Sequence, residues 1–99
     1  MRNVHRTELA ERDLEDIFKK LEHFSPNAAD VFDAEFNWIC RLIASQPGVG
    51  RAQDEWCPGL RSILMNRYLL FFQVIDDTVY IIRIIYATRD LNSIEFPAS

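Results

Sequence analysis

The hydrophobic period of this chain changes once, near its middle, and that change fixes the class of fold open to it. From Leu9 the apolar positions fall at Ala10, Leu14, Ile17, Leu21 and Phe24, with Leu9 and Phe18 widening the stripe. Steps of three and four are the signature of a helix with one buried face. Glu8, Glu11, Asp13, Glu15 and Asp16 crowd the first turns, where the positive end of the helix dipole favours anions, while Lys19 and Lys20 come later. Thr7 is the expected N-cap. Ser25-Pro26 marks a second start, with serine as cap and proline at the first helical position, where its missing N–H costs nothing. A second stripe, Ala28, Phe32, Phe36, Ile39 and Ile43, flanked by Ala29, Trp38 and Leu42, runs to about Ser45, and Pro47-Gly48 ends it. So short a connection folds the pair into an antiparallel helical hairpin. Phe24 and Trp38 are read as core residues, the usual fate of large aromatics on an amphipathic stripe.

From Leu60 the period is that of strands. Leu60–Met65 is a short strand; Tyr68–Ile75 is almost continuously apolar, as in a central strand covered on both faces; Val79–Tyr86 is rich in β-branched and aromatic residues. Asn66-Arg67 and Asp76-Asp77-Thr78 are the turns, since Asn and Asp tolerate positive φ. The spacing predicts a three-stranded antiparallel meander, with residues 2–6 as a weakly signalled additional strand. The fold class is therefore α+β: a helical hairpin on one face of a three- to four-stranded antiparallel sheet, in a single domain spanning residues 1–99. Residues 46–59 read as loop, and Trp56-Cys57-Pro58-Gly59 is taken as a plug over the core edge in preference to an exposed contact. The other sheet face is expected to stand partly open, lined by aromatics and arginines, as a binding surface. Arg83 shares an alternating face with Val79, Ile81 and Ile85, where a cation must be paired or reach the sheet edge.

Composition removes other classes. Of 99 residues 48% are hydrophobic and 26% charged, which excludes disorder. No apolar run approaches the ~20 residues of a membrane span, and the start has no apolar signal stretch, so the cytosol is the expected location. Cys40 and Cys57 form no C-x-x-C pair and only His5 and His23 could join them; two free thiols, no metal and no cofactor are expected. The formal net charge is −4, so long-range attraction to bare DNA or RNA is disfavoured. Yet every cation after residue 50 is an arginine: Arg51, Arg61, Arg67, Arg83 and Arg89. A guanidinium is a planar fork suited to carboxylate or phosphate.

These pieces, in this order, resemble the ParE branch of the RelE/ParE superfamily, the toxin halves of bacterial type II toxin–antitoxin pairs. The resemblance is carried by Leu9-Ala-Glu-Arg-Asp-Leu14, Pro26-Asn-Ala-Ala-Asp30, Pro47-Gly-Val-Gly-Arg51, Pro58-Gly-Leu-Arg61, Asn66-Arg-Tyr-Leu-Leu-Phe-Phe72 and Ile81-Ile-Arg-Ile-Ile-Tyr-Ala-Thr-Arg-Asp-Leu91. It covers nearly the whole chain and implies a β-α-α-β-β-β fold, first strand included. It also implies a ParD-type antitoxin that lays a C-terminal segment over the hairpin and open sheet face. Leu14 and Phe18 would be its apolar anchors, and Arg61 and Arg83 would receive its carboxylates. Toxin and antitoxin would form a hetero-oligomer, as in plasmid-stabilising pairs.

Two chemistries divide the superfamily. RelE-like members resemble ribosome-dependent mRNA endonucleases, whereas ParE-like members poison DNA gyrase by binding it. Cleavage by 2′-hydroxyl attack needs a proton acceptor, a proton donor and cations on the phosphate. Arg61, Arg67 and Arg89 could supply the cations from one sheet edge. Where such nucleases resemble one another in a C-terminal tyrosine, this chain has Ser93-Ile-Glu-Phe96, and no histidine follows His23. The gyrase-binding reading is therefore preferred, with no catalytic residue assigned and with Arg67, Tyr68 and Arg89 as target-binding candidates. The alternatives are the RelE-like nuclease and, from the acidic balance, a non-toxic antitoxin-binding module.

Overall fold

The computed structural model describes residues 2–88 and Phe96. The elements run β1 (Asn3–Arg6), α1 (Glu8–Phe24), α2 (Pro26–Ser45), β2 (Arg51–Ala52), β3 (Arg61–Met65), β4 (Tyr68–Ile75) and β5 (Thr78–Tyr86). Both helix starts follow from side-chain caps. Ala10 N–H donates to Thr7 Oγ1 at 3.1 Å and Asn27 N–H donates to Ser25 Oγ at 3.2 Å, each satisfying a donor that the helix itself leaves orphaned. The two tight turns place Asn66 and Asp76 at φ 59° and 55°, the left-handed region those side chains accommodate.

The five strands form one sheet in the order β1-β5-β4-β3-β2. The β3-β4-β5 meander is antiparallel, as its spacing implies; β1 adds in parallel to β5 from Asn3↔Thr78 to Arg6↔Ile81, and β2 touches β3 over two residues. The sheet is thus five-stranded and mixed, one strand more than expected. Two-residue β2 gives no alternation to read, and β1 is signalled by Val4 alone because its other side chains face solvent.

Helices and sheet enclose the main core between them: Leu14 and Ile17 of α1, Phe32, Phe36, Ile39 and Ile43 of α2, and Met65, Leu70, Phe72, Val79, Ile81 and Ile84 of the sheet. A bulge in β5 resets the side-chain parity. Arg83 lies opposite Phe71 and Ile81 opposite Phe72, so Ile82 is an extra residue. Beyond it Ile84 joins the helix side and Ile85 the other, which corrects the grouping of Ile85 with Val79 and Ile81.

The far face of the sheet is also covered, contrary to the expectation of an open surface. Leu60, Phe71, Ile82 and Ile85 form a second buried cluster, with Trp56, Cys57, Leu69, Tyr80 and Phe96 packed on it. The 53–60 segment is stitched down by Gln53 Nε2 donating to Ser62 Oγ at 3.0 Å and Gln73 Nε2 donating to Pro58 O at 2.7 Å. Phe96 meets Phe71 edge to face at 5.1 Å. Trp56 is a plug, as read. Phe24 and Trp38 are the converse correction: 83% and 55% exposed, they stand outside the core.

Candidate partner-binding groove

One face of α1 and the far ends of β4 and β5 leave a groove of about 310 Å³. Asp13, Asp16, Ile17 and Lys20 fall at i, i+3, i+4 and i+7 and so form one wall. Tyr68, Ile84, Ile85 and Tyr86 form the other, because Tyr68 opens β4, Tyr86 closes β5 and the two are cross-strand partners. Their rings meet edge to face at 5.5 Å. Burial, reinforced by the neighbouring Tyr86 phenol, raises the Tyr68 pKa above its usual value, so this hydroxyl stays protonated at neutral pH. A run of edge-to-face rings, Phe18–Phe32–Tyr68–Tyr86, ties both helices to the groove wall.

Electrostatically the groove is divided. Arg83 Nε and Nη2 donate to Asp13 Oδ2 and Oδ1 at 2.7 and 2.9 Å, and Ile84 N–H donates to Asp13 Oδ2 at 3.0 Å, so this carboxylate is neutralised from within. Asp16 and Lys20 are exposed and make no ion pair among the described residues. An isoleucine floor, two phenol rims and one charge of each sign suit an amphipathic polypeptide segment, anchored by an apolar side chain and oriented by polar ones.

The expected site residues are dispersed. Tyr68 sits at this rim and Arg67 precedes it in the turn, where Ala87 N–H donates to Arg67 O at 2.8 Å and locks the turn to the exit of β5. Phe18 is half-buried against Phe32 and lies behind the groove. Leu14 is in the main core, so it is no surface anchor. Arg83 is 8% exposed and forms an ion pair with Asp13 of the same chain. Arg61 stands at the opposite end of β3 from Arg67, separated by roughly 14 Å of strand at ~3.4 Å per residue. Its Nε donates to Val49 O at 3.0 Å and its Nη2 to Gly48 O and Gly50 O at 2.8 and 3.0 Å. The single-edge convergence of Arg61 and Arg67 is thereby corrected, and Arg61 is a loop-holding residue. Arg89, Ser93 and Glu95 lie outside the described residues. The groove adds Asp13, Lys20 and Tyr86 to the candidates, and the Asp13-x-x-Asp16-Ile17-x-x-Lys20 spacing is the sequence signal for its helical wall.

The sequence matches, over residues 4–91, the family described as ParE toxin of type II toxin–antitoxin system, parDE. The chain belongs to the ParE toxin family. Among solved structures it is similar to a chain of the chromosomal ParDE toxin–antitoxin system from P. aeruginosa, with TM-score 0.72 at 21% identity over 87% of this chain and 96% of that one. This likeness shows the same fold: two helices on one face of the sheet. No curated protein matches significantly. Among the described residues no helix is long and apolar enough to cross a membrane.

Proposed function

We propose that this ParE-family chain is a cytoplasmic toxin that inhibits DNA gyrase by binding, without bond-breaking chemistry of its own, and is neutralised by a ParD-type antitoxin in a hetero-oligomer. The observation that carries the partner is the groove between α1 and the Tyr68–Tyr86 pair. It is an apolar-floored, polar-rimmed slot between α1 and the sheet end, of the kind that receives a segment folding as it binds.

Against a RelE-like nuclease stands the commitment of the arginines. Arg61 is spent on three loop carbonyls and Arg83 on Asp13, so neither is poised for phosphate, and β3 separates Arg61 from Arg67. The test is direct. Purified toxin should block gyrase-catalysed supercoiling of relaxed plasmid, and equimolar antitoxin should lift the block. Intact supercoiling together with toe-print stops inside the ribosomal A-site codon would replace this reading with the nuclease. Harmless expression with retained antitoxin binding would replace it with a non-toxic module.

A further inference from the structure

Helix α2 carries a second apolar stripe that stands exposed over most of its length among the described residues, with Leu42 at its end partly packed on the core. Besides its inward residues it presents Val31, Ala34, Trp38 and Leu42, spaced by three, four and four and therefore aligned along one side. Val31 is 52% exposed and Trp38 55%, Ala34 is exposed and Leu42 half-buried. Beside Trp38 lies a hollow of about 250 Å³ lined by Trp38, Arg41, Leu42, Ser45 and Gln46. A charged residue flanks each end, Asp30 before the stripe and Arg41 within its last turn. Neither is in an ion pair among the described residues.

This stripe is complementary to itself. Turned end for end about a two-fold axis midway between Ala34 and Trp38, it brings small Ala34 against large Trp38 of the second copy, Val31 against Leu42, and Asp30 against Arg41. Each pairing occurs twice, as an isologous contact requires. All three fall within one residue of a single register. Ala34 permits the ~8–10 Å helix approach of close packing, and the Val31 of each copy enters the hollow beside Trp38 of the other. We infer that the free toxin self-associates as an antiparallel α2–α2 dimer through Val31, Ala34, Trp38 and Leu42, with reciprocal Asp30–Arg41 pairs setting the register. From Val31 to Leu42 the stripe is only about 16 Å long at ~1.5 Å per residue. The contact therefore lies below the ~1,200 Å² of standard interfaces and gives a weak, concentration-dependent dimer. The inference is independent of what the toxin poisons and of the groove on α1.

Sedimentation velocity of the free toxin, from micromolar to near-millimolar concentration, should show a shift from monomer toward dimer mass. Trp38→Glu, at an exposed position, should leave the circular dichroism spectrum unchanged and abolish the shift. Arg41→Asp should weaken association by about tenfold, and Asp30→Arg in the same chain should restore it. A toxin monomeric throughout, or a dimer indifferent to Trp38→Glu and not rescued by the charge swap, overturns the inference. So does a monomeric toxin whose Trp38→Glu variant loses antitoxin affinity, since the stripe would then belong to the antitoxin.

Discussion

Arg83 and Asp13, seventy positions apart in sequence, form a bidentate ion pair with both side chains nearly buried, and Asp13 also accepts the Ile84 N–H. The relationship fastens α1 along β5 where β1 has ended. β1 pairs with β5 only as far as Ile81, so the outer edge beyond it would be a row of unsatisfied backbone groups. α1 closes that edge with side chains: Thr7 Oγ1 donates to Ile82 O at 2.9 Å and Asp13 takes the Ile84 donor.

Asp13→Ala should therefore destabilise the fold by about 3–5 kcal/mol, since it takes the carboxylate from a buried guanidinium and frees an edge N–H. Asp13→Leu combined with Arg83→Met, which removes both charges, should cost clearly less than Asp13→Ala alone. Urea unfolding with an unchanged slope checks both.

At Arg61 the loss is of a fork rather than of a charge. Arg61→Ala should cost about 1.5–3 kcal/mol by releasing the three carbonyls of residues 48–50. Arg61→Lys should recover only part of it, because a single ammonium cannot span Val49 O and Gly48 O with fixed geometry. Thermal melting reads the order wild type, Lys, Ala.

Gly50 lies at φ 81°, and a Cβ there would meet the Ser62 carbonyl oxygen at 2.2 Å. Gly50→Ala should destabilise by about 1–3 kcal/mol through strain and the forced retreat of β2 from β3, whereas Gly48→Ala, with open space around it, should be near neutral. Parallel denaturation curves of the two variants make the comparison.

Burial raises the Cys40 thiol from 9.0 to about 11, the charges of Arg6 and Arg41 offsetting only part of it. At pH 8 about one molecule in a thousand carries the thiolate there, so iodoacetamide should label Cys40 far more slowly in the folded protein than in urea. The stability consequence has a definite sign. A folded pKa above the unfolded one contributes fully below pH 9 and is lost as pH rises toward 11, so stability should fall across that window and Cys40→Ser should flatten the fall.

Much of this architecture was legible because local rules and the global fold agree. Both caps, the hairpin, the meander and its two positive-φ turns follow from Thr7, Ser25-Pro26, Asn66 and Asp76. What was illegible came from pairing across distance. The bulge at Ile82 reverses parity without a glycine or proline to announce it. Trp56 and Phe96 cover a face that alternation alone leaves bare, and no spacing rule joins Asp13 to Arg83. Of the arginines that stand out by type, Arg61 holds a loop and Arg83 an ion pair, and the groove is made instead by the face of α1 and a tyrosine pair at a sheet end. Phe24 and Trp38 were misplaced because a helix stripe wider than its buried face looks like core in sequence.

Calorimetric titration of the toxin with its cognate antitoxin tests most directly whether the groove is the antitoxin's seat. Lys20→Glu together with Asp16→Lys, both exposed groove positions, should weaken binding by about tenfold or more without changing thermal stability, while Leu64→Asp on the opposite sheet face should leave affinity as it was. Unchanged affinity in the groove variant, with loss at Leu64→Asp, would place the antitoxin elsewhere and contradict the account.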